Sequence, residues 1–179
     1  MKRVLAIVLF ATALAACAET PMGPAGPPPT GPSYGGPTSS EFRARDFAWS
    51  TAPGTGAIAG VLGYHNGEVR YTCQGKDVIL IPETPWTRLR MIILYGSAAS
   101  AAVPLEVVRA RTPANSAGDY ASYAKKADCD GANRFAFRGL PDGAWFVITI
   151  ARPADGPGEP LAMMRRVETR GGPRSVTLN

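Results

Sequence analysis

The stretch of sequence that decides the fold is residues 134–151, RFAFRGLPDGAWFVITIA. Arg134 to Arg138 alternates with period 2, with aromatic side chains on one side and cationic ones on the other, which predicts a strand. Gly139 to Gly143 predicts a turn, since Pro141 and the Asp and Gly after it are turn-forming residues. Ala144 to Ala151 is rich in aromatic and β-branched residues and predicts a second strand.

Several apolar runs of similar length surround this hairpin, and Gly and Pro separate them. Strands are expected at Ala57 to Leu62, Asp77 to Ile81, Val103 to Ala110, Leu161 to Thr169 and Arg174 to Leu178. The polar stretch from Asn115 to Asp130 is predicted to be a loop that Tyr120 and Tyr123 anchor to the domain surface. About seven short strands are typical of a β-sandwich. We therefore predict a mainly β, sandwich-type fold with one short helix, after a disordered N-terminal tail.

The short helix is predicted at residues 84–95. Thr84 followed by Pro85 resembles a helix N-cap with proline at the first helical position. Trp86, Leu89 and Ile93 would then share one helical face, and the glycine at position 96 would end the helix. A strand is the alternative, because the apolar residues from 89 to 95 also alternate with period 2.

The N-terminus has the three-part layout of a secretory signal peptide. Lys2 and Arg3 precede an uncharged apolar run from Val4 to Leu14, which is too short to cross a bilayer as a helix. The tetrad from Leu14 to Cys17 resembles the lipobox of bacterial lipoproteins. This resemblance implies lipidation of Cys17, with palmitate among the acyl chains, after cleavage of residues 1–16. An ordinary cleaved signal is the alternative.

A segment rich in Pro, Gly, Ser and Thr follows the signal from Ala18 to Ser40. Such a composition cannot bury enough apolar surface to offset the entropy of ordering it, so we expect a linker. Phe42 to Trp49 carries aromatics and either packs on the domain or continues the tail. The predicted organisation is a signal peptide at 1–16, a lipidated linker at 17–50 and a β-sandwich domain at 51–179.

The three cysteines are consistent with an exported protein. If Cys17 takes lipid, Cys73 and Cys129 remain as a pair in an oxidising compartment such as the periplasm, where disulfides persist. A free or metal-bound pair is the alternative. His65 is the only histidine, so a four-ligand zinc site is not expected.

Several segments together resemble the carboxypeptidase regulatory-like domains. They are Thr72 to Gly75, Val78 to Thr84, Cys129 to Gly131, Phe135 to Phe137 and Leu140 to Gly143. This family has a transthyretin-like (prealbumin-like) β-sandwich of about seven strands, related in shape to Cna-B modules. The resemblance covers residues 56–179 and implies a non-catalytic accessory module.

Candidate catalytic groups are sparse, so no enzyme activity, cofactor or metal is predicted. His65 lies in a turn-like sequence, and Ser97, Ser100, Ser116 and Ser122 lie outside any Gly-x-Ser-x-Gly motif. Asp128 and Asp130 flank a cysteine, and Asp142 lies in a turn, where carboxylates usually bond backbone groups.

The predicted function is therefore a lipid-anchored interaction or scaffold module of the cell envelope that binds another envelope protein. A carbohydrate- or peptidoglycan-fragment-binding lipoprotein is the alternative. Of the 19 Lys and Arg, two lie in the signal, which leaves 17 against 14 acidic residues. Most of this charge is arginine, which suits an anionic envelope partner or simply forms a solvated surface. No nucleic-acid partner is expected. By resemblance to proteobacterial lipoproteins, Ala18 in place of Asp after Cys17 favours the outer membrane. The periplasmic side is expected over the cell surface.

Two further features of the strands leave alternatives open. The aromatic strands carry six residues that either fill the core or form a ligand groove: Phe135, Phe137, Trp145, Phe146, Ile148 and Ile150. The run from Met163 to Arg166 changes from apolar to cationic and suggests an edge strand open to strand addition by a partner.

Overall fold

A computed structural model describes residues 37–113 and 120–179. Cys17, the signal peptide and most of the predicted linker lie outside these residues. The described strands are β1 Gly56–Leu62, β2 His65–Asn66, β3 Val69–Thr72, β4 Asp77–Pro82, β5 Ser100–Pro104, β6 Lys125–Asp128, β7 Arg134–Leu140, β8 Gly143–Pro153, β9 Leu161–Thr169 and β10 Pro173–Leu178. The α-helices are α1 Pro85–Tyr95 and α2 Leu105–Arg111, and the 3-10 helices span Ala44–Thr51 and Tyr120–Tyr123.

The strands form two sheets. The large sheet is built around β8, which is flanked by β4 and β9, with β6 beyond β4 and β5 beyond β9. The short β2–β3 hairpin joins the far end of β8. In the small sheet, β1 lies between β10, with which it pairs in parallel, and the antiparallel β7. The fold is thus mainly β and consistent with the predicted β-sandwich.

Two layers of buried side chains cover opposite faces of the large sheet. Trp145 and Val147 of β8 pack into the core between the sheets, whereas Phe146 and Ile148 pack under the helices. Met163 and Met164 of β9 divide in the same way. Because both faces are covered, these strands have apolar residues at successive positions.

The segment from Phe42 to Trp49 packs on the domain, which was one of its two predicted alternatives. Phe47 of the first 3-10 helix has no exposed surface, and its ring centroid lies 4.9 Å from that of Tyr123. Trp49 lies 4.9 Å from Trp145 of the core, measured between ring centroids. The boundary predicted at residue 50 therefore falls inside an element that is part of the folded domain.

Two sequence-based predictions of local structure are wrong. Val103 to Ala110 was expected to be a strand, but β5 ends at Pro104 and α2 follows. Asn115 to Asp130 was expected to be a loop, but it contains a 3-10 helix and β6 in its described part. The described residues also contain ten strands rather than about seven, because short pairings such as β2 are not visible as apolar runs.

The strand β9 is not the open edge suggested by the run from Met163 to Arg166. It pairs along one side with β8 and along the other with β5, so both of its backbone edges are occupied. The apolar-to-cationic change has a different cause. Its methionines are buried on the two faces of the sheet, while Arg166 reaches the buried carboxylate of Glu83.

Candidate ligand-binding pocket

A pocket of about 460 Å³ lies between the outer face of the large sheet and the helical layer above it. This volume lies in the range of small-molecule sites. The lining residues come from β4, α1, α2, the second 3-10 helix, β6 and β8. They are Ile79, Ile81, Trp86, Thr87, Arg90, Met91, Leu94, Tyr95, Val108, Thr112, Tyr120, Ala121, Ala124, Lys126 and Ile148.

The floor of the pocket is aliphatic and comes from the sheet. Ile79 and Ile81 are two residues apart on β4, so they point to the same face. Ile148 pairs directly with Ile79 across β4 and β8 and extends this surface. These isoleucines form an apolar face on which the helices pack. The helices do not cover all of this face, and the uncovered part is the floor of the pocket.

The helix α1 forms one wall, and its position is fixed at both ends. The Thr84 hydroxyl accepts a hydrogen bond from the Thr87 amide, and the Thr87 hydroxyl accepts one from the Thr84 amide, which completes a capping box. Pro85 occupies the first turn, and Gly96 ends the helix with φ 75°. The helix predicted at 84–95 is therefore confirmed over its strand alternative.

The face of α1 that turns inward differs from the predicted one. Met91, Leu94 and Tyr95 are buried and line the pocket, whereas Ile93, predicted to face the core with Trp86, is 52% exposed. The i, i+3, i+4 pattern that begins at Trp86 continues through Arg90 and Leu94, not through Leu89 and Ile93. This pattern was not recognised in the sequence because the charged Arg90 interrupts the series of apolar residues.

Arg90 lines the pocket and has no acidic partner within residues 37–113 and 120–179. Its guanidinium carbon is 4.9 Å from the centroid of the Trp86 ring and 5.5 Å from that of Tyr120. Among the described residues it makes no ion pair or hydrogen bond. Cation–π contacts of this kind hold the guanidinium plane but leave its N–H donors free.

The other polar groups of the pocket are few. Burial raises the pKa of Tyr95 to about 12, helped by the nearby Tyr120, so its hydroxyl stays neutral. The Thr112 hydroxyl donates to the Val108 carbonyl at 2.7 Å. Lys126 pairs with Asp77 at 2.7 Å, and the hydrogen bond to this carboxylate raises the pKa of Lys126. A polar ligand atom buried without a partner costs roughly 1–3 kcal/mol, so this pocket suits a ligand with an apolar part.

A second, shallow depression lies on the outer face of the small sheet, at Gly60 and Ser175. The Asp130 carboxylate in its lining is already engaged. Backbone hydrogen bonds from Arg134 and Ala132 lower the pKa of Asp130, and the Arg134 side chain adds to this effect. These hydrogen bonds close a turn beside Cys129 and occupy both oxygens of the Asp130 carboxylate, so this group is not available to a ligand.

The structure distributes the described candidate residues over several parts of the fold, although Asp128 and Asp130 both line the shallow depression. Cys73 and Cys129 are bonded, as predicted, with their Cα atoms 5.7 Å apart. His65 is exposed on β2, where its Nδ1 lies 3.1 Å from the Gly63 carbonyl oxygen. The Ser97 hydroxyl accepts hydrogen bonds from two backbone amides, while Ser116 lies outside the described residues.

The aromatic residues predicted as either core or groove belong to the core. Phe135, Phe137, Trp145 and Phe146 are each at most 5% exposed. Ile148, from the same set of candidates, lines the pocket, and so do Arg90, Tyr95 and Tyr120. Of the latter three, the sequence suggested only Tyr120, as an anchor of the 115–130 segment, because aromatic residues in a polar stretch signal packing.

Within residues 37–113 and 120–179, no three His, Cys, Asp or Glu side chains cluster as metal ligands would. No helix in this part of the chain has the length and apolar character needed to cross a bilayer.

Comparisons with known proteins support the fold. No protein-family model matches the chain, and no curated protein matches its sequence. The fold is similar to a crystal structure from Pseudomonas aeruginosa described as a "putative carbohydrate binding protein", with a TM-score of 0.56 and 19% sequence identity. The match covers 77% of this chain and 97% of that one. At this identity the similarity shows a shared fold.

Proposed function

We propose that this protein is a non-catalytic, lipid-anchored carbohydrate-binding module of the bacterial envelope, and that its ligand occupies the pocket beneath α1. The observation that carries the proposal is the pocket itself, which is large enough for a saccharide and has an apolar floor with arginine and tyrosine groups at its wall. Saccharides bind such surfaces through their C–H faces, while charged and hydroxyl groups fix their orientation.

Two further observations support this class of ligand. The structurally similar protein from Pseudomonas aeruginosa is named for carbohydrate binding. The signal peptide and lipobox-like tetrad, together with the resemblance to carboxypeptidase regulatory-like domains, favour an envelope location where cell-wall glycans are abundant. The glycan alternative drawn from the sequence is thus favoured over the scaffold role.

Blocking the pocket tests the proposal. Ala124 lines the pocket and is partly buried, so Ala124→Phe would place a ring inside it. Ala154 is exposed and its amide bonds to Arg70, on the β3–β8 side of the domain, so Ala154→Phe is the matched control. We expect the wild type and the control to sediment with isolated cell-wall sacculi and to bind soluble muropeptides in calorimetry, with Ala124→Phe at least about tenfold weaker.

Two results would contradict the proposal. If Ala124→Phe binds as well as the wild type, the pocket is not the glycan site. If the wild type stays in the supernatant and gives no heat with any saccharide, the ligand class is wrong.

The lipid anchor is tested separately. Cys17→Ser should abolish incorporation of labelled palmitate and release the protein from the membrane fraction, while the Cys73–Cys129 disulfide still forms. Membrane association that survives this change would rule out Cys17 as the anchor. Fractionation of outer and inner membranes would then test the predicted outer-membrane location.

The interaction-module role remains a second candidate, favoured by one surface feature. Ile92 and Ile93 are adjacent on α1 and are 41% and 52% exposed, which is unusual for isoleucine side chains in the middle of a helix. A photo-crosslinking amino acid at position 93 should capture one reproducible envelope protein, and the same label at position 154 should not. Equal or random labelling at both positions would count against a protein partner at this surface.

A further inference from the structure

We infer that the saccharide taken by this pocket carries both an acidic group, which pairs with Arg90, and an apolar alkyl or acyl substituent, which lies on the isoleucine floor. This inference rests on the proposed carbohydrate-binding function and names the ligand's chemistry more narrowly. It concerns the charge and the substituent, not the saccharide backbone.

The acidic group follows from the state of Arg90. Elsewhere in the described chain, arginines commonly find an acid. Examples are Arg70 with Asp155, Arg109 with Glu106, and Arg166 with both Glu83 and Glu168. Arg90 instead lies against two aromatic rings, which hold its plane, and its N–H groups have no hydrogen-bond partner in the part of the chain that the structure describes. A guanidinium held in this way is arranged for a carboxylate or phosphate, which it bonds through two parallel N–H groups.

Lys126 is a weaker candidate for the same task. Its side chain is 63% exposed, and its ammonium group already pairs with Asp77. An incoming acid would have to compete with that carboxylate and with water. The geometry therefore assigns the anion to Arg90.

The apolar substituent follows from the walls of the pocket. Ile79, Ile81 and Ile148 form the floor, while Met91, Leu94 and Val108 close the sides. A bare sugar ring placed on this surface would leave most of its hydroxyl groups without partners. An alkyl or acyl group has no hydrogen bonds to lose there, and its burial removes apolar surface from water.

The two groups would lie at neighbouring points along α1. Arg90 and Leu94 are four residues apart and therefore neighbours on one helical face. Arg90 is partly exposed at the rim, whereas Leu94 is 7% exposed and deeper in the pocket. An acid bound by Arg90 thus leaves the substituent directed towards Leu94, with the sugar ring between them.

Four matched probes separate these contributions in calorimetry with the purified full-length protein, each used below its micelle concentration. Octyl glucuronide carries the acid, the sugar and the chain. Octyl glucoside lacks the acid, methyl glucuronide lacks the long chain, and octanoate lacks the sugar. We expect octyl glucuronide to bind at least about tenfold more tightly than each of the other three.

The variant that tests the assignment is Arg90→Gln, with Arg109→Gln on α2 as its control. Arg90→Gln should bring the affinity for octyl glucuronide down to that for octyl glucoside and leave the latter unchanged. Arg90→Lys should restore part of the difference, and Arg109→Gln should have no effect. Thermal denaturation of each variant establishes that the domain is folded.

The outcomes distinguish this inference from the function on which it rests. If octyl glucoside binds as tightly as octyl glucuronide, and Ala124→Phe weakens the binding of both, the pocket binds saccharides but the inferred acidic group is not needed, and that inference is wrong. If methyl glucuronide binds as tightly, the apolar substituent is wrong. If octanoate binds as tightly, the sugar contributes nothing and the proposed carbohydrate function fails. If no probe binds, both fail.

Discussion

Arg88 and Arg90 lie two residues apart on α1, yet they point to opposite sides of the helix and have opposite roles. Arg88 is 7% exposed and donates a hydrogen bond to Glu83, whereas Arg90 lies over Trp86 and Tyr120 at the pocket. Two residues that are two positions apart on an α-helix point about 200° away from each other around the helix axis. Arg88 and Arg90 therefore contact different surroundings although they lie within one turn. The first holds the helix against the sheet, and the second faces the pocket.

Glu83 should be important for stability because it accepts hydrogen bonds from both Arg88 and Arg166 and its side chain is only 11% exposed. Replacing Glu83 with Ala leaves the buried Arg88 charge without this acid, which costs about 3–5 kcal/mol. Urea denaturation would measure the change in the free energy of unfolding. Glu106→Ala is the control, since the Glu106–Arg109 pair is exposed and is expected to contribute less than about 1 kcal/mol. Equal effects would show that the Glu83 cluster is not a buried ion pair.

Alkaline pH should destabilise the protein through Tyr95. Its pKa is about 12 in the folded state, against 10.0 for the free side chain, so the unfolded chain loses the proton first. The contribution is fully present below pH 10 and is lost as the pH rises towards 12, by on the order of 2–3 kcal/mol. Stability measured from pH 9 to 11.5 should fall less steeply in Tyr95→Phe. Identical slopes for the two proteins would mean that Tyr95 ionises freely.

The disulfide should contribute strongly to stability because it joins residues 56 apart in sequence. Closing a loop of this length stabilises the folded state by about 4 kcal/mol in the chain-entropy model. Reduction, or Cys73→Ser or Cys129→Ser, should therefore lower the free energy of unfolding by that order and abolish the mobility shift in non-reducing gels. A shift that persists in either variant would require a different pairing.

The hairpin of β7 and β8 was predictable because its alternation and its Pro-Asp-Gly turn are local signals. The ends of α1 were predictable for the same reason, since Thr84, Pro85 and Gly96 act within one helical turn. The disulfide followed from counting cysteines once Cys17 was assigned to lipid.

The pocket was not predictable, because its parts become neighbours only through tertiary packing. Tyr120 and Lys126 fall in a stretch that appeared to be a polar loop, and Val108 in a run that appeared to be a strand. The prediction of the inward face of α1 was wrong because an analysis of hydrophobic periodicity counts Arg90 as a polar, outward-facing residue. Its aliphatic stem and planar head nevertheless pack on aromatic rings.

Two adjacent residues of α1 test this reassigned face directly. Leu94 is 7% exposed and Ile93 is 52% exposed. Leu94→Ala should cost about 2 kcal/mol, at the low end for a buried leucine because the site borders a cavity, while Ile93→Ala should cost less than about 1 kcal/mol. Chemical denaturation of both variants gives the comparison. The reverse order is what the face predicted from sequence requires, and it would contradict the structure.

An NMR titration of the isotope-labelled protein tests most directly whether the pocket beneath α1 holds a saccharide. On addition of octyl glucuronide, we expect chemical-shift changes concentrated at the amides of Arg90, Met91, Leu94 and Ile148, and we expect these changes to be lost in Ala124→Phe. Shifts concentrated instead at Gly60 and Ser175 on the small sheet, or shifts that persist unchanged in Ala124→Phe, would contradict it.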